Sequence, residues 1–391
     1  MGATRFKRNL GALCAAAAMV AVVAGPAFGA QTWTIQRSPN PKGSFYTELH
    51  GVACVSASSC FAVGAWTNDR GREFTLVERR NGSKWAVQSS ANPKGGGPIL
   101  FGVSCASPKS CMAVGYYTSP NLNEVTLAER WDGSAWKVVK TPNPNQPVSF
   151  LSGVACTSTT SCVAVGAAGE TEQSPNRTLV ERWNGSTWRI VASPIPHGFT
   201  GVRLTGVGCS SATACTAVGY SVQGLSTETM LAERWNGSKW KIQKTATPPG
   251  AKFSALASVA CPSTTACTAT GYYSDASGTG LTLAERWNGT KWSVQPTPNP
   301  GGVMASLLLG VSCASASACT AVGYAQALGG QILLAEQWDA GTWTLQFVPP
   351  PPSSQSPELE SVACLSEQAC TAGGTYENPS GVGKTLIEAS T

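Results

Sequence analysis

Apolar residues along this chain come in short runs bounded by Ser, Asn-Gly and Pro, and the runs recur in a fixed order. LSGVAC is followed by a Ser/Thr turn, CVAVG, a variable stretch, TLVERW, NGS, WRIV and a Pro-rich link. No ten-residue window carries a helical period, and Val, Trp and Leu dominate, so each run is expected to be a strand. Asn81-Gly82, Asn184-Gly185, Asn236-Gly237 and Asn288-Gly289, with Asp132-Gly133 as a variant, separate the third run from the fourth. They predict hairpin turns with both turn residues at positive φ.

The four-run unit repeats seven times. A first cysteine falls at Cys54, Cys105, Cys156, Cys209, Cys261, Cys313 and Cys364, at intervals of 51 to 53 residues. A second follows six positions later, at Cys60, Cys111, Cys162, Cys215, Cys267, Cys319 and Cys370. Four strands in about fifty residues, repeated seven times, predict an all-β chain: a seven-bladed β-propeller of four-stranded blades. The first cysteine ends one strand and the second begins its hairpin partner, so each pair is expected to be a disulfide within its own blade. Zinc is the rival, but its ligand spacings are shorter and it wants thiolates in a reducing compartment.

The last unit stops at Thr391 with three strands. The missing fourth is found near the other end: TWTIQRSPNP, from residue 32, matches KWAVQSSANP from 84 and KWSVQPTPNP from 291. The N-terminal strand is therefore expected to close the last blade against residues 384–388. Tryptophan usage agrees. Trp33, Trp85, Trp136, Trp188, Trp240, Trp292 and Trp343 begin fourth strands, Trp131, Trp183, Trp235, Trp287 and Trp338 end third strands, and only Trp66 lies outside the pattern. Repetition at one blade position points to packing.

The first thirty residues change the compartment. Arg5, Lys7 and Arg8 precede LGALCAAAAMVAVVAG, and Ala27-Phe28-Gly29 offers a cleavage site. Residues 1–29 are expected to be a signal peptide and 30–391 the propeller, with Cys14 leaving in the leader. Without the leader the chain has 24 basic and 21 acidic residues, or +3, and only 12% of the whole is charged. No basic stripe is present, which argues against a nucleic-acid partner. No further long apolar segment follows, so no membrane contact is expected after cleavage, and a monomer outside the cytoplasm is the expected form.

Strand order places turns one–two and three–four at one end, and loops two–three with the inter-blade links at the other. The first end is uniform. The second carries everything that differs, including WTNDRGRE at 66, YTSPNLNEV at 117 and YSDASGTG at 273. This variable face is the expected site. Glu78, Glu129, Glu181, Glu233, Glu285, Glu336 and Glu388 share one blade position, and Arg79, Arg130, Arg182, Arg234 and Arg286 follow them. An active site is singular, so these repeated groups are expected to make inter-blade or backbone hydrogen bonds. The blade-specific candidates for ligand binding are Trp66, Asp69, Arg70, Arg72, Glu73, Glu124, Glu170, Glu172, Arg203 and Asp275. His50 and His197 stand isolated in the sequence. No catalytic residue, metal ligand or cofactor is assigned.

The V-A/S-C-x5-C-x-A-V-G … L-A-E-R-W-N-G-S-x-W unit resembles secreted propellers frequent in actinobacteria, and more distantly the kelch and Asp-box (sialidase-type) propellers. The resemblance implies the fold. Gly185 and Trp188 keep the Gly-x-x-Trp spacing of an Asp-box, but Asn184 is one place too close. The sialidase catalytic set and the copper ligands of kelch-type oxidases have no counterparts here. Three functions fit: a non-catalytic propeller recognising a glycan, cell-wall component or protein; a glycoside hydrolase or polysaccharide lyase; and an architectural module.

Overall fold

A computed structural model describes residues 32–171, 175–224 and 227–391; the leader and Glu172 lie outside them. Among the described residues every regular element is a strand. The strands form seven antiparallel four-stranded blades: 44–88, 96–138, 148–190, 201–243, 253–295, 303–346, and 355–390 completed by Trp33–Gln36. Trp33 pairs with Ser390 and Gln36 with Ile387, so the N-terminal strand closes blade seven as expected. One parallel bridge, Glu124 to Val148, joins the sheets of blades two and three.

Each blade is a radial sheet with both faces covered by its neighbours. Seven apolar clusters fill the seven junctions. Along the second strand of blade one, Cys60 and Ala62 face blade seven while Phe61 and Val63 face blade two, as strand alternation requires. The fourth-strand tryptophans are all at most 7% exposed, and five of them tilt against the third-strand tryptophan of the same blade at 5.7–5.9 Å.

The hub explains the repeated glycines. Every first strand has a register shift after a fully buried leucine, for example between Leu151 and Gly153. This bulge drives the carbonyl of the residue before the leucine toward the AVG glycine of the second strand. A Cβ added at Gly166 would lie 1.9 Å from the Phe150 oxygen, and the equivalent glycine of every blade, Gly271 and Gly374 included, shares this contact. The residue after the bulge (Gly51, Gly102, Gly153, Gly206, Ser258, Gly310, Ser361) packs on its counterpart in the next blade. Where serine stands there, it accepts a backbone N–H from the neighbour: Val52 to Ser361 at 3.1 Å and Val311 to Ser258 at 3.3 Å. Gly166→Ala is expected to cost about 4 kcal/mol, at the upper end for point substitutions; a denaturant midpoint close to wild type would refute this account.

All seven cysteine pairs are bridged within their blades, with Cα atoms 3.9–4.1 Å apart. That is tighter than the expected cross-strand spacing. Seven intrachain disulfides fit an oxidising compartment. One turn expectation is corrected. Gly82, Gly185, Gly237 and Gly289 have positive φ, but the preceding asparagines do not. Asn184 instead accepts the N–H groups of Ser186 and Thr187 at 3.0 and 2.9 Å, and Asn236 and Asn288 do the same in their blades. The side chain braces a wider turn.

Candidate functional site

The sevenfold charged groups are consumed by the scaffold. The seven strand-three glutamates are all 0% exposed. Each lies across the ladder from an aliphatic residue of the fourth strand, Ile35, Val87, Val138, Ile190, Ile242, Val294 or Leu345. Burial pushes Glu129, Glu233 and Glu285 up to about 7, and Glu78, Glu181, Glu336 and Glu388 to about 8. Their partners come from the preceding link or blade. Ser38 bonds Glu78 at 2.8 Å, Ser90 bonds Glu129 at 2.7 Å and Ser193 bonds Glu233 at 2.6 Å.

The arginine that follows points the other way. The guanidiniums of Arg79, Arg130, Arg182, Arg234 and Arg286 lie 4.6–5.9 Å over the third-strand tryptophan of the next blade. Arg182 also donates to the Ala212 carbonyl at 3.1 Å. Glutamate and arginine, adjacent in sequence, thus clasp opposite neighbours. Blade seven lacks the clasp on both sides: Gln337 and Ala389 replace the arginine, and Ser390 and Arg80 replace the tryptophan.

What remains singular lies at the hub and on the variable face. The seven bulge residues, His50, Phe101, Ser152, Thr205, Ala257, Leu309 and Glu360, are all half-buried and line the hub. His50 is not isolated, contrary to the sequence reading. Its Nδ1 sits 2.6 Å from Glu360 of blade seven and its Nε2 3.4 Å from Glu48. Burial opposes a charge on the ring, yet the two carboxylates outweigh it and hold the imidazole well above the ordinary histidine range. Phe101 of blade two packs 5.2 Å from the same ring. Glu48 shares a strand with His50, whereas Glu360 is 310 residues away along the chain and is brought to it by the junction of blades seven and one.

Arg203 stands on the first strand of blade four, two residues before the bulge, with its guanidinium 4.4 Å over Phe150. Trp66 stacks on Phe74 at 4.5 Å, and Arg72 covers the far side of Phe74 at 5.0 Å. Asp69 and Arg70 are exposed on the adjoining turn, which Asn68 braces by accepting the N–H groups of Arg70 and Arg72. Glu73 reaches Gly97 of blade two, where an added Cβ would meet its carboxylate at 3.2 Å. Glu124 begins the third strand of blade two and donates its N–H to the Pro147 carbonyl at 3.0 Å. Asp275 is a turn brace: Ser277 and Thr279 donate to it, and these bonds hold its carboxyl below the usual range. Glu170 is exposed at its loop. The structure therefore gathers Trp66, Arg72 and their neighbours at blade one and leaves Glu170 and Asp275 in separate blades.

Beside Trp66 a cleft of about 210 Å³ opens on the variable face, lined by Pro41, Trp66, Thr75, Leu76, Val87, Gln88, Ser89, Ser90 and Asn92. No group of three His, Cys, Asp or Glu side chains suited to a metal occurs among the described residues. No helix there is long and apolar enough to cross a membrane.

No protein-family model matches the chain, and no curated protein matches its sequence. Solved structures do. YCF48 bound to D1 peptide is 13% identical, with a TM-score of 0.53, over 92% of this chain and 95% of that one. A PL25 polysaccharide lyase, an ulvan lyase, is 10% identical, with a TM-score of 0.57, over 88% and 94%. A protein of unknown function from Dyadobacter fermentans is 8% identical, with a TM-score of 0.50, over 92% and 97%. At these identities the likeness is one of fold, and it extends over nearly the whole propeller.

Proposed function

We propose that the mature chain is an exported, non-catalytic binding propeller that recognises a glycan, a cell-wall component or a protein through its variable face. One observation carries this reading: the glutamates, arginines and tryptophans repeated at equivalent blade positions are used up in holding blades together, while Trp66, Arg72 and the His50–Glu360 pair stand once each, at the variable end and the hub. Proteins of similar fold are described as bound to a peptide and, for the ulvan lyase, to a sulfated disaccharide repeat. Residues 1–29 act as the export signal in this proposal, and the propeller works as a monomer outside the cytoplasm.

The test is a glycan and cell-wall array probed with the oxidised mature protein. Alanine at Arg70, Arg72 and Glu73 is expected to weaken the strongest signal at least about fivefold, the scale of a rim contact near 1 kcal/mol. An array with no signal above a reduced control sinks the proposal.

A second reading, a glycoside hydrolase or polysaccharide lyase, draws on the Glu360–His50–Glu48 contact at the hub, where acid–base groups meet beside an aromatic wall. Time-dependent release of reducing or unsaturated ends, abolished in Glu360→Gln, would establish it. Bound polysaccharide recovered intact would favour the binder.

A further inference from the structure

We infer that the blade-one cleft is a subsite for a single neutral hexopyranose residue, with Trp66 as its platform. The inference rests on the binding reading above and adds the ligand class and its seat. Three observations carry it. The cleft holds about 210 Å³, enough for one sugar ring and too little for an extended chain segment. Its lining divides into an apolar part (Pro41, Trp66, Leu76, Val87) and a part of hydroxyls and amides (Gln88, Ser89, Asn92). None of the lining residues is ionisable. A pyranose has the same division: a C–H face that packs on an indole, and a rim of hydroxyls that exchange hydrogen bonds with amides. An uncharged wall offers nothing to a uronate or a sulfate and would leave either desolvated without a partner.

The platform is held in place before a ligand arrives. Phe74 covers one indole face at 4.5 Å with an interplanar angle of 20°, and Arg72 backs Phe74. Asn92 directs its Oδ1 to the N–H of Thr75 at 2.9 Å, which fixes the amide and leaves its Nδ2 for a hydroxyl. Ser90 is committed to Thr75 and Glu129, so Gln88, Ser89 and Asn92 are the polar side chains left to read the sugar.

Tryptophan exposure gives a selective readout. Twelve of the thirteen tryptophans are buried, and Trp66 is the exception. Acrylamide quenching of the intact protein therefore reports Trp66. Titration with cellohexaose, mannohexaose and maltohexaose is expected to protect that component for at least one of them. Trp66→Ala should weaken binding more than about tenfold, Trp66→Phe less, and Gln88→Leu about fivefold, with Trp66→Phe and Gln88→Leu melting close to the wild type. Protection by a proline-rich peptide or a uronate oligomer in place of the neutral glycans would overturn the inference. So would an array ligand bound equally well by Trp66→Ala and Trp66→Phe, and in that case the binding reading itself survives. An array with no ligand at all fails the broader reading instead.

Discussion

Removing residues 32–36 from the exported chain is expected to lower its melting temperature by about 10 °C, from the loss of one buried tryptophan and a four-residue ladder in a chain of this size. Trp33 is 3% exposed and packs with Leu359, Val362 and Leu386. Its strand also places Ile35 across from the buried Glu388, so deletion wets a carboxyl that the fold keeps dry. Blade seven has no compensation, because the arginine–tryptophan clasps that join blades one to six are absent on both of its sides. The unpaired edge left at residues 383–390 should also promote self-association. Adding the peptide TWTIQRSPNP back in trans should restore much of the loss by strand addition. A truncated protein that melts with the full chain, and is indifferent to the peptide, would show that the ring does not depend on this closure.

Stability is expected to fall from pH 5 to about pH 8 and then to level off. The seven belt glutamates have native pKa values of about 7 to 8, against an ordinary value near 4.5. Between those limits the native state holds more protons than the unfolded chain, so unfolding becomes easier as pH rises, and the loss is complete above about pH 8. Below about 4.5 both states are protonated and the contribution is fully present. His50, also raised, acts in the same direction. Raising one carboxyl from 4.5 to about 7 or 8 corresponds to about 4 kcal/mol. Even a third of it over seven groups should move the melting temperature by more than about 10 °C between pH 5 and pH 9. Glu388→Gln isolates the effect, since burial alone raises this carboxyl. It should be near neutral at pH 5 and stabilising at pH 9. Equal effects at the two pH values would mean that the belt does not titrate.

The features legible in the sequence are those that repeat. Blade number, the disulfide set, the closing strand and the scaffold role of the tryptophans all follow from counting equivalent positions. The direction of the Glu–Arg contacts needed geometry: Glu78 reaches back to Ser38 whereas Arg79 reaches forward to Trp131. The hub was illegible for another reason. His50 and Glu360 belong to different ends of the chain, and nothing local marks a bulge that turns both inward. Asp275 misled because a loop carboxylate that braces its own turn has the same sequence signature as one that waits for a ligand. Trp66 stands out in the sequence only because it fails to repeat, and the structure places it in the wall of the cleft.

The closing strand has a practical corollary. Thr32 and Thr391 exchange backbone hydrogen bonds at 3.1 and 3.3 Å, and Ser390 donates to Gln368 in a disulfide turn. Both ends of the described chain thus emerge together on the side away from the irregular loops. A tag, a surface linker or a fused enzyme attached at either end would hold the wheel with its loops outward. One such wheel could be mounted on a sensor chip or strung into tandem arrays without masking the face that meets the ligand.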